Sequence, residues 1–365
     1  MLINQQSYRT IWPVPTKSGS RIVAIIDQTK LPHQFATVEI GSLEQMIVAI
    51  KTMQVRGAPL IGAAAAYGIC LALEKDVGDD HLLAAAQQLI QSRPTAVNLR
   101  WAVRRMLELL KPINPANRAD AAWQEAAKIC DEDVAQNQAI GRYGLTLIQK
   151  LIQRSNGEEA FHILTHCNAG WLATVDYGTA LAPIYAAHDA GVNIQVWVDE
   201  TRPRNQGASL TAWELGKHGV PHTVISDNAG GHLMQHQQVD MVIVGADRVT
   251  ATGDVCNKIG TYLKALAAYD NNVPFYAAVP TPTIDWQMTD GVKEIEIEER
   301  SASEVSCMTG KLVNGEVAQV NILPEGTPVA NPAFDVTPAR LVTGIITEAG
   351  VFAPMDLASL RNQVS

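Results

Sequence analysis

Phe161-His162-Ile163-Leu164-Thr165-His166-Cys167-Asn168-Ala169-Gly170 is a short apolar run that ends in a polar, glycine-containing turn. Four similar runs come after it, at residues 194–198, 223–225, 241–244 and 275–279, separated by stretches of helical character. Short buried strands alternating with helices make a parallel, doubly wound sheet covered on both faces. The fold class read from this pattern is α/β. In such a sheet, ligands bind beyond the carboxyl ends of the strands.

The turn after each run is therefore where chemistry is expected. These turns begin Thr165-His166-Cys167-Asn168, Asp199-Glu200-Thr201-Arg202-Pro203, Ser226-Asp227-Asn228, Gly245-Ala246-Asp247-Arg248 and Pro280-Thr281-Pro282-Thr283. All five are polar or rich in glycine and proline, and the topology brings them to one sheet edge. That edge is the expected catalytic cleft.

Upstream, the pattern is helical. Ser42 and Gln45 have capping-box spacing, and Leu43, Met46, Ile47, Ile50 and Met53 follow a helical period. Gly57 breaks this helix, and Pro59 suits the first turn of the next. That second helix, to about Glu74, is apolar on every side and reads as buried. Its uncharged stretch, residues 57–73, falls short of the ~20 apolar residues of a spanning helix. Residues 81–110 and 116–153 also favour helix, punctuated by Pro94, Pro112 and Pro115. The pattern changes near Gly157. The reading is two domains, a smaller, mainly helical 1–135 and a Rossmann-like 136–365.

The 365 residues are 47% hydrophobic and 18% charged, which suits a packed interior. Lys plus Arg number 28 and Asp plus Glu 37, a net charge of -9, with no dense basic run. A nucleic-acid partner is not expected, nor is a membrane. The N-terminal stretch lacks the apolar core of a secretory signal. The five cysteines have no C-x-x-C spacing, which reads as reduced thiols in the cytoplasm.

An anion has two candidate seats. One is Arg56-Gly57-Ala58-Pro59 and the other Gly253-Asp254-Val255-Cys256-Asn257-Lys258, each read as a helix start beside a cation. No G-x-G-x-x-G follows the first strand and no Walker A sequence occurs, so a nucleotide cofactor is not supported.

At these residues the chain resembles the methylthioribose-1-phosphate isomerases. The likeness is carried by Arg56-Gly57-Ala58-Pro59-Leu60-Ile61-Gly62, Ser92-Arg93-Pro94-Thr95, Thr165-His166-Cys167-Asn168-Ala169-Gly170, and Asp199-Glu200-Thr201-Arg202-Pro203 with Gln206-Gly207-Ala208. It continues in Gly245-Ala246-Asp247-Arg248, Asn257-Lys258-Ile259-Gly260 and Asn331-Pro332-Ala333-Phe334-Asp335. That family is similar to the regulatory subunits of the translation-initiation nucleotide-exchange factor and to the ribose-1,5-bisphosphate isomerases.

The resemblance implies an aldose–ketose isomerase of methionine salvage, usually a homodimer, that uses no metal and no cofactor. It implies Cys167 and Asp247 as the catalytic pair. It implies Arg56, Gly57, Ala58, Arg93, Gln206, Asn257 and Lys258 as the substrate-binding set. Ser209 and Thr252 depart from the family, where many relatives carry arginine and asparagine.

A phosphate on the anomeric oxygen blocks simple ring opening to a free aldehyde. Asp247, protonated by burial away from cations, would protonate the departing ring oxygen. Hydrogen then moves from C2 to C1 by one of two routes. Either a Cys167 thiolate, favoured by nearby cations, removes the C2 proton, or hydride shifts directly in a dry site.

Bland readings stand beside these. Taken alone, Cys167 fits an inert buried thiol, Asp247 a helix cap and Arg93 a surface arginine. His232 and His236 have i, i+4 spacing but no third metal ligand. His162 and His166 read as packing groups, and Trp197, Trp213 and Trp286 as core or rim. Residues 294–299 alternate acid with isoleucine, as in an edge strand. The competing functions are isomerisation of 5-deoxyribose 1-phosphate or ribose 1,5-bisphosphate, decided by the C5 pocket, and a non-catalytic regulatory subunit, which need not keep Cys167 and Asp247.

Overall fold

The computed structural model describes residues 1–3, 5–15, 21–154 and 159–364. The change of pattern expected near Gly157 falls outside these residues, and the first strand of the large sheet begins soon after, at Phe161.

The chain opens on strands that the helical reading of the first third did not anticipate. A two-residue pair, β1 (Leu2–Ile3) and β2 (Gln6–Ser7), precedes a three-stranded antiparallel sheet of β3 (Ile11–Pro15), β4 (Arg21–Ile26) and β5 (Thr37–Ile40). β4 is buried along its second half, so it lacks the alternation that marks a one-sided strand.

Then come α1 (Leu43–Lys51), α2 (Ala58–Leu73), α3 (Asp79–Ser92), α4 (Val97–Leu110) and α5 (Pro115–Ile152). Ser42 Oγ accepts from Gln45 N, as a capping box requires, but Gln45 Oε1 reaches Gly41 N instead of Ser42 N. α2 is buried from Leu60 to Leu73 and is the axis of the first core, with Met46, Leu89, Val103, Met106 and Ala126 packed round it. A helix that is apolar all round needs neighbours on every side to keep it from water. No described helix is long and apolar enough to cross a membrane.

α5 serves two cores. Ala122, Ala126 and Ile129 join the α2 core, while Ile140 and Ile148 pack on the large sheet. Residue 135 lies in the middle of this continuous helix.

The large sheet is built from β6 (Phe161–Thr165), α6 (Leu181–Asp189), β7 (Ile194–Asp199), α7 (Ala212–His218), β8 (His222–Ile225), α8 (Ala229–Gln235) and β9 (Met241–Val244). β10 (Arg248–Thr250), β11 (Val255–Lys258) and α9 (Thr261–Asp270) lead on to β12 (Phe275–Ala278) and β13 (Ile284–Asp285). After the hairpin β14 (Cys307–Lys311) and β15 (Val317–Asn321) come β16 (Phe334–Thr337), β17 (Gly344–Thr347) and β18 (Gly350–Phe352). The strand order is β18-β17-β12-β9-β6-β7-β8, parallel throughout except for β18. The five expected strands are all present, and β17 and β18 extend the sheet. One core covers each face.

Two expectations are corrected. Residues 253–258 do not open a helix. Val255–Lys258 is a strand, paired with β10 and β16 in a second sheet ordered β13-β10-β11-β16, and the helix starts only at Thr261. Residues 294–299 do not form an edge strand. Glu294 ends a short helix, Gly291–Glu294, and the only described pairing of the rest is one bridge from Glu299 to Pro332, while the Glu298 side chain pairs with Arg93 and Arg300 and that of Glu299 accepts from Asn331 N.

Candidate active site

The chain runs outward from β6 to β7 and β8, then returns to the other side of β6 as β9. Strand order therefore reverses between β6 and β9, and a crevice opens where the connections part to opposite faces. The turn after β6 carries Cys167 and the turn after β9 carries Asp247.

Cys167 has φ 68, a left-handed conformation uncommon for a side-chain-bearing residue. Two threonines hold it there. Its N–H donates to Thr201 Oγ1 at 2.8 Å, and its carbonyl accepts from Thr211 Oγ1 at 2.7 Å. The thiol is 8% exposed. Burial pushes its pKa up, and the nearby charges of Arg56 and Lys258 pull the other way without prevailing. Of the two routes open to hydrogen, this direction favours the one that leaves Cys167 a neutral thiol. Desolvation of a small anion outweighs cations that lie near it without a direct hydrogen bond.

His166 is wholly buried behind this turn. Nδ1 lies 2.8 Å from Asp199 Oδ2, and Nε2 lies 2.8 Å from the Ile259 carbonyl. With Asp227, these two form a cluster close enough to grip a metal ion. Lys264 Nζ already sits 3.2 Å from Asp199 Oδ2 and donates to the Asp227 carbonyl, so an ammonium supplies the positive charge. The His232 and His236 rings lie 4.2 Å apart, outside that cluster.

Asp247 is pinned through its backbone, N–H to Cys256 carbonyl at 2.9 Å. Its carboxyl reaches a cavity wall but is otherwise enclosed by protein. Burial raises its pKa, against the opposing pull of Lys258, Arg93 and Arg56. The direction and its cause, burial, are the expected ones, but the carboxyl does not lie away from cations, since three stand near. Arg248 is not among them. It donates to the Thr95 carbonyl at 3.0 Å and leans toward Asp285 at 3.7 Å.

Arg56 precedes the start of α2. Gly57 has φ 93, and a Cβ there would lie 2.5 Å from the Ala173 carbonyl oxygen, so only glycine fits. α2 has no side-chain cap, and because Pro59 lacks an N–H, only Ala58 and Leu60 present N–H groups before the first intrahelical bond, Ile61 N to the Gly57 carbonyl at 3.0 Å. The Arg56 guanidinium donates to Asn168 from both ends, Nη1 to Oδ1 and Nη2 to the carbonyl at 2.7 Å. These partners are neutral, so the cation keeps its charge for a ligand.

Lys258, brought in by β11, donates to the Ala333 carbonyl at 2.9 Å and lies 4.4 Å from the Phe334 ring centre. Burial lowers its pKa, and Cys167 and Asp247 oppose that. Asn257 is turned inward, Nδ2 to Thr261 Oγ1 at 3.0 Å, and steadies the start of α9. Arg93 pairs with Glu298 at 3.2 Å. The Gln206 Oε1 is buried without a hydrogen-bond partner among the described residues.

Arg56 and Gln206 line a cavity of ≈ 650 Å³, together with Leu31, Met53, Arg204, Leu210 and Met308. Asp247, Arg93 and Ala58 line a smaller one of ≈ 30 Å³ with Cys256 and Phe334. Gly57, Cys167, Asn257 and Lys258 line neither, but Arg56, Cys167, Asp247 and Lys258 perturb one another electrostatically. A further cavity of ≈ 660 Å³, against Trp171, Tyr185 and His218, holds none of the expected residues.

Sequence reasoning missed Thr201, Thr211 and Glu214 as parts of the site. The first two lie in or near quoted motifs, but nothing distinguishes them from solvent-facing threonines. Glu214 follows Trp213 on a short helix and carries no signal at all.

The Initiation factor 2 subunit family matches residues 54–354. A methylthioribose-1-phosphate isomerase of Rhodospirillum rubrum is 63% identical over 349 residues, 94% of this chain and 89% of the relative. The crystal structure of 5-methylthioribose 1-phosphate isomerase from Pyrococcus horikoshii superposes with a TM-score of 0.82 at 39% identity, over 99% of this chain and 97% of that one. The structure of translation initiation factor eIF-2B, subunit delta, from A. fulgidus gives 0.78 at 40% identity, over 98% and 99%.

Proposed function

We infer that this chain, which belongs to the Initiation factor 2 subunit family and within it to the methylthioribose-1-phosphate isomerases, converts 5-methylthioribose 1-phosphate to 5-methylthioribulose 1-phosphate. It is an aldose–ketose isomerase of methionine salvage. One observation carries the chemical reading: a buried thiol and a half-buried carboxyl follow the two strands of the switch point, β6 and β9, and both feel the charges of Arg56 and Lys258.

The C1 phosphate is read as lying against the free N–H groups of α2 and the Arg56 guanidinium, with Lys258 and Arg93 completing the charge. Asp247, whose pKa burial raises toward the protonated form, gives its proton to the ring oxygen as the bond from C1 to that oxygen breaks. Hydride moves from C2 to the electron-poor C1. The C2 hydroxyl proton returns to the Asp247 carboxylate, and the ketose is formed with atoms and charge balanced. A neutral Cys167 thiol suits this route, because it takes no proton and fills the dry wall beside the migrating hydrogen. Gln206 and Asn257 are read as holding the sugar and the turn beneath it.

The larger cavity supports a thioether at C5. Met53 and Met308 give its otherwise polar wall an apolar, sulfur-bearing part, and Arg204, which also lines it, is already paired with Glu304 at 2.8 Å. Lys30 and His33 sit at the exposed rim. With Arg56 taken by the C1 phosphate and Arg204 by Glu304, a second phosphate at C5 would find only Lys30 and His33 at the rim. The regulatory reading draws on the translation-factor neighbour, and the intact pair at Cys167 and Asp247 weighs against it.

In this reading the chain works as two parts, 1–135 supplying Arg56 and Arg93 and 136–365 supplying the catalytic pair, as a cytoplasmic homodimer. The test is incubation with 5-methylthioribose 1-phosphate, without metal or nucleotide, followed by NMR of the ketose. Turnover lost in folded Cys167→Ser and Asp247→Asn supports the pair. A folded wild type that leaves the substrate untouched overturns the reading.

A further inference from the structure

Asn168 is held on both sides. Its Nδ2 donates to Glu214 Oε1 at 2.9 Å and to Thr211 Oγ1 at 3.2 Å, while its Oδ1 and its backbone carbonyl take both ends of the Arg56 guanidinium. A side-chain amide has a donor end and an acceptor end of nearly equal size, so its surroundings alone decide which way it points. A carboxylate only accepts. With Glu214 on one side, the amide nitrogen faces it, and the oxygen is left facing Arg56.

Glu214 is itself fixed. It is fully buried and accepts four hydrogen bonds. Oε1 takes Asn168 Nδ2 and Leu172 N at 3.1 Å, and Oε2 takes Trp171 N at 2.9 Å and Tyr185 Oη at 2.8 Å. Residue 170 is glycine, and a Cβ there would meet Oε2 at 1.9 Å. No basic side chain among the described residues touches this carboxylate. Burial raises its pKa to about 7, and once ionised its negative charge lies one amide away from Arg56, which it stabilises electrostatically.

We propose that Glu214 is a positioning residue for Arg56, aiming the guanidinium at the C1 phosphate through the amide of Asn168. The proposal rests on the reading of Arg56 as a phosphate ligand. Glu214→Gln replaces one acceptor oxygen by a donor NH₂, so one pair of donors loses its partner and Asn168 is free to turn its nitrogen toward Arg56. Two like donors then face each other, and the guanidinium leaves its seat.

Loss of a ligand that binds substrate and transition state alike raises KM and spares kcat. Steady-state kinetics of Glu214→Gln should show KM raised about tenfold with kcat nearly unchanged. Asn168→Ala cuts the same link while leaving Glu214 its other donors, and it should reproduce the effect. The decisive measurement is the cycle with Arg56→Ala. If Glu214 acts through Arg56, adding Glu214→Gln to Arg56→Ala raises KM no further. Additive effects, or an unchanged KM in Asn168→Ala, would overturn the proposal and leave Glu214 as a staple of the turn. An unchanged KM in Arg56→Ala alone would instead sink the phosphate reading beneath it.

Discussion

Cys167 and Asp247 leave neighbouring parallel strands, β6 and β9, on either side of the point where strand order reverses, and burial raises the pKa of both. Two groups that can carry negative charge are thus held toward their neutral forms. The carboxyl must be protonated to release the ring oxygen. kcat/KM should therefore be flat at low pH and fall as pH rises through the Asp247 pKa. Asp247→Asn should lose about 10²- to 10⁴-fold in kcat and lose that alkaline limb. A limb that persists in the residual activity would assign it to another group.

The neutral thiol bears on the path of hydrogen. Run in deuterium oxide, the reaction should give ketose with protium retained at both C1 hydrogens, read by proton NMR at early conversion. Deuterium at C1 would require exchange with solvent and return Cys167 to the role of base.

Arg204 and Glu304 form an ion pair at the proposed C5 end of the cavity. Hydrogen bonds and charge from Arg300 and Arg204 hold the Glu304 carboxyl down at about 2, although burial opposes them. It is thus ionised at every working pH. Glu304→Gln should leave Arg204 under-compensated. The ratio of kcat/KM for ribose 1,5-bisphosphate over the methylthio substrate should rise by about tenfold, the scale of one recovered charge contact. An unchanged ratio would remove Arg204 from the selectivity account.

Gly57 joins Arg56 to α2 at φ 93, with the Ala173 carbonyl 2.5 Å from any added Cβ. Gly57→Ala must either twist the backbone or push back the segment beyond Cys167. Urea unfolding should show a loss of about 1–3 kcal/mol, with KM raised as well. Wild-type stability would show that the segment yields without strain.

Asp133 sits on α5 and accepts from Val175 N and Asn137 Nδ2. Burial raises its pKa to about 7. The folded state therefore binds its proton more tightly than the unfolded one. That stabilisation is full below the ordinary carboxyl range and is lost as pH rises through about 7. Glu214, also raised to about 7 by burial, acts with the same sign. The Tm of the wild type should fall between about pH 5 and about pH 7.5, and Asp133→Asn should shrink that fall. An equal fall in the variant would show that Asp133 does not carry the dependence.

Much of the frame was legible in one dimension. The five apolar runs became five parallel strands because β-strands and their turns are written locally, in short patterns with punctuation. α2 was legible for the same reason, since an apolar helix with no polar face has only one place to go. β4 and β17 were missed, being short apolar runs away from the helical punctuation that marked the others. Residues 253–258 misled because a glycine and an acid before an apolar residue look like a helix start. Only pairing with β10 and β16 made them a strand, and pairing is not a local property.

The sequence by itself settled the α/β class, the five parallel strands with the turns that follow them, and the family through its ordered motifs. The tertiary structure decided the rest of the site. It weighted Cys167 toward the neutral thiol, put three cations near Asp247, and linked Glu214 to Arg56 through Asn168, across a long stretch of chain. The physical reason is that local patterns fix secondary structure. Protonation and hydrogen-bond direction instead depend on which distant groups displace water from a given atom, and that is known only once the chain has closed on itself.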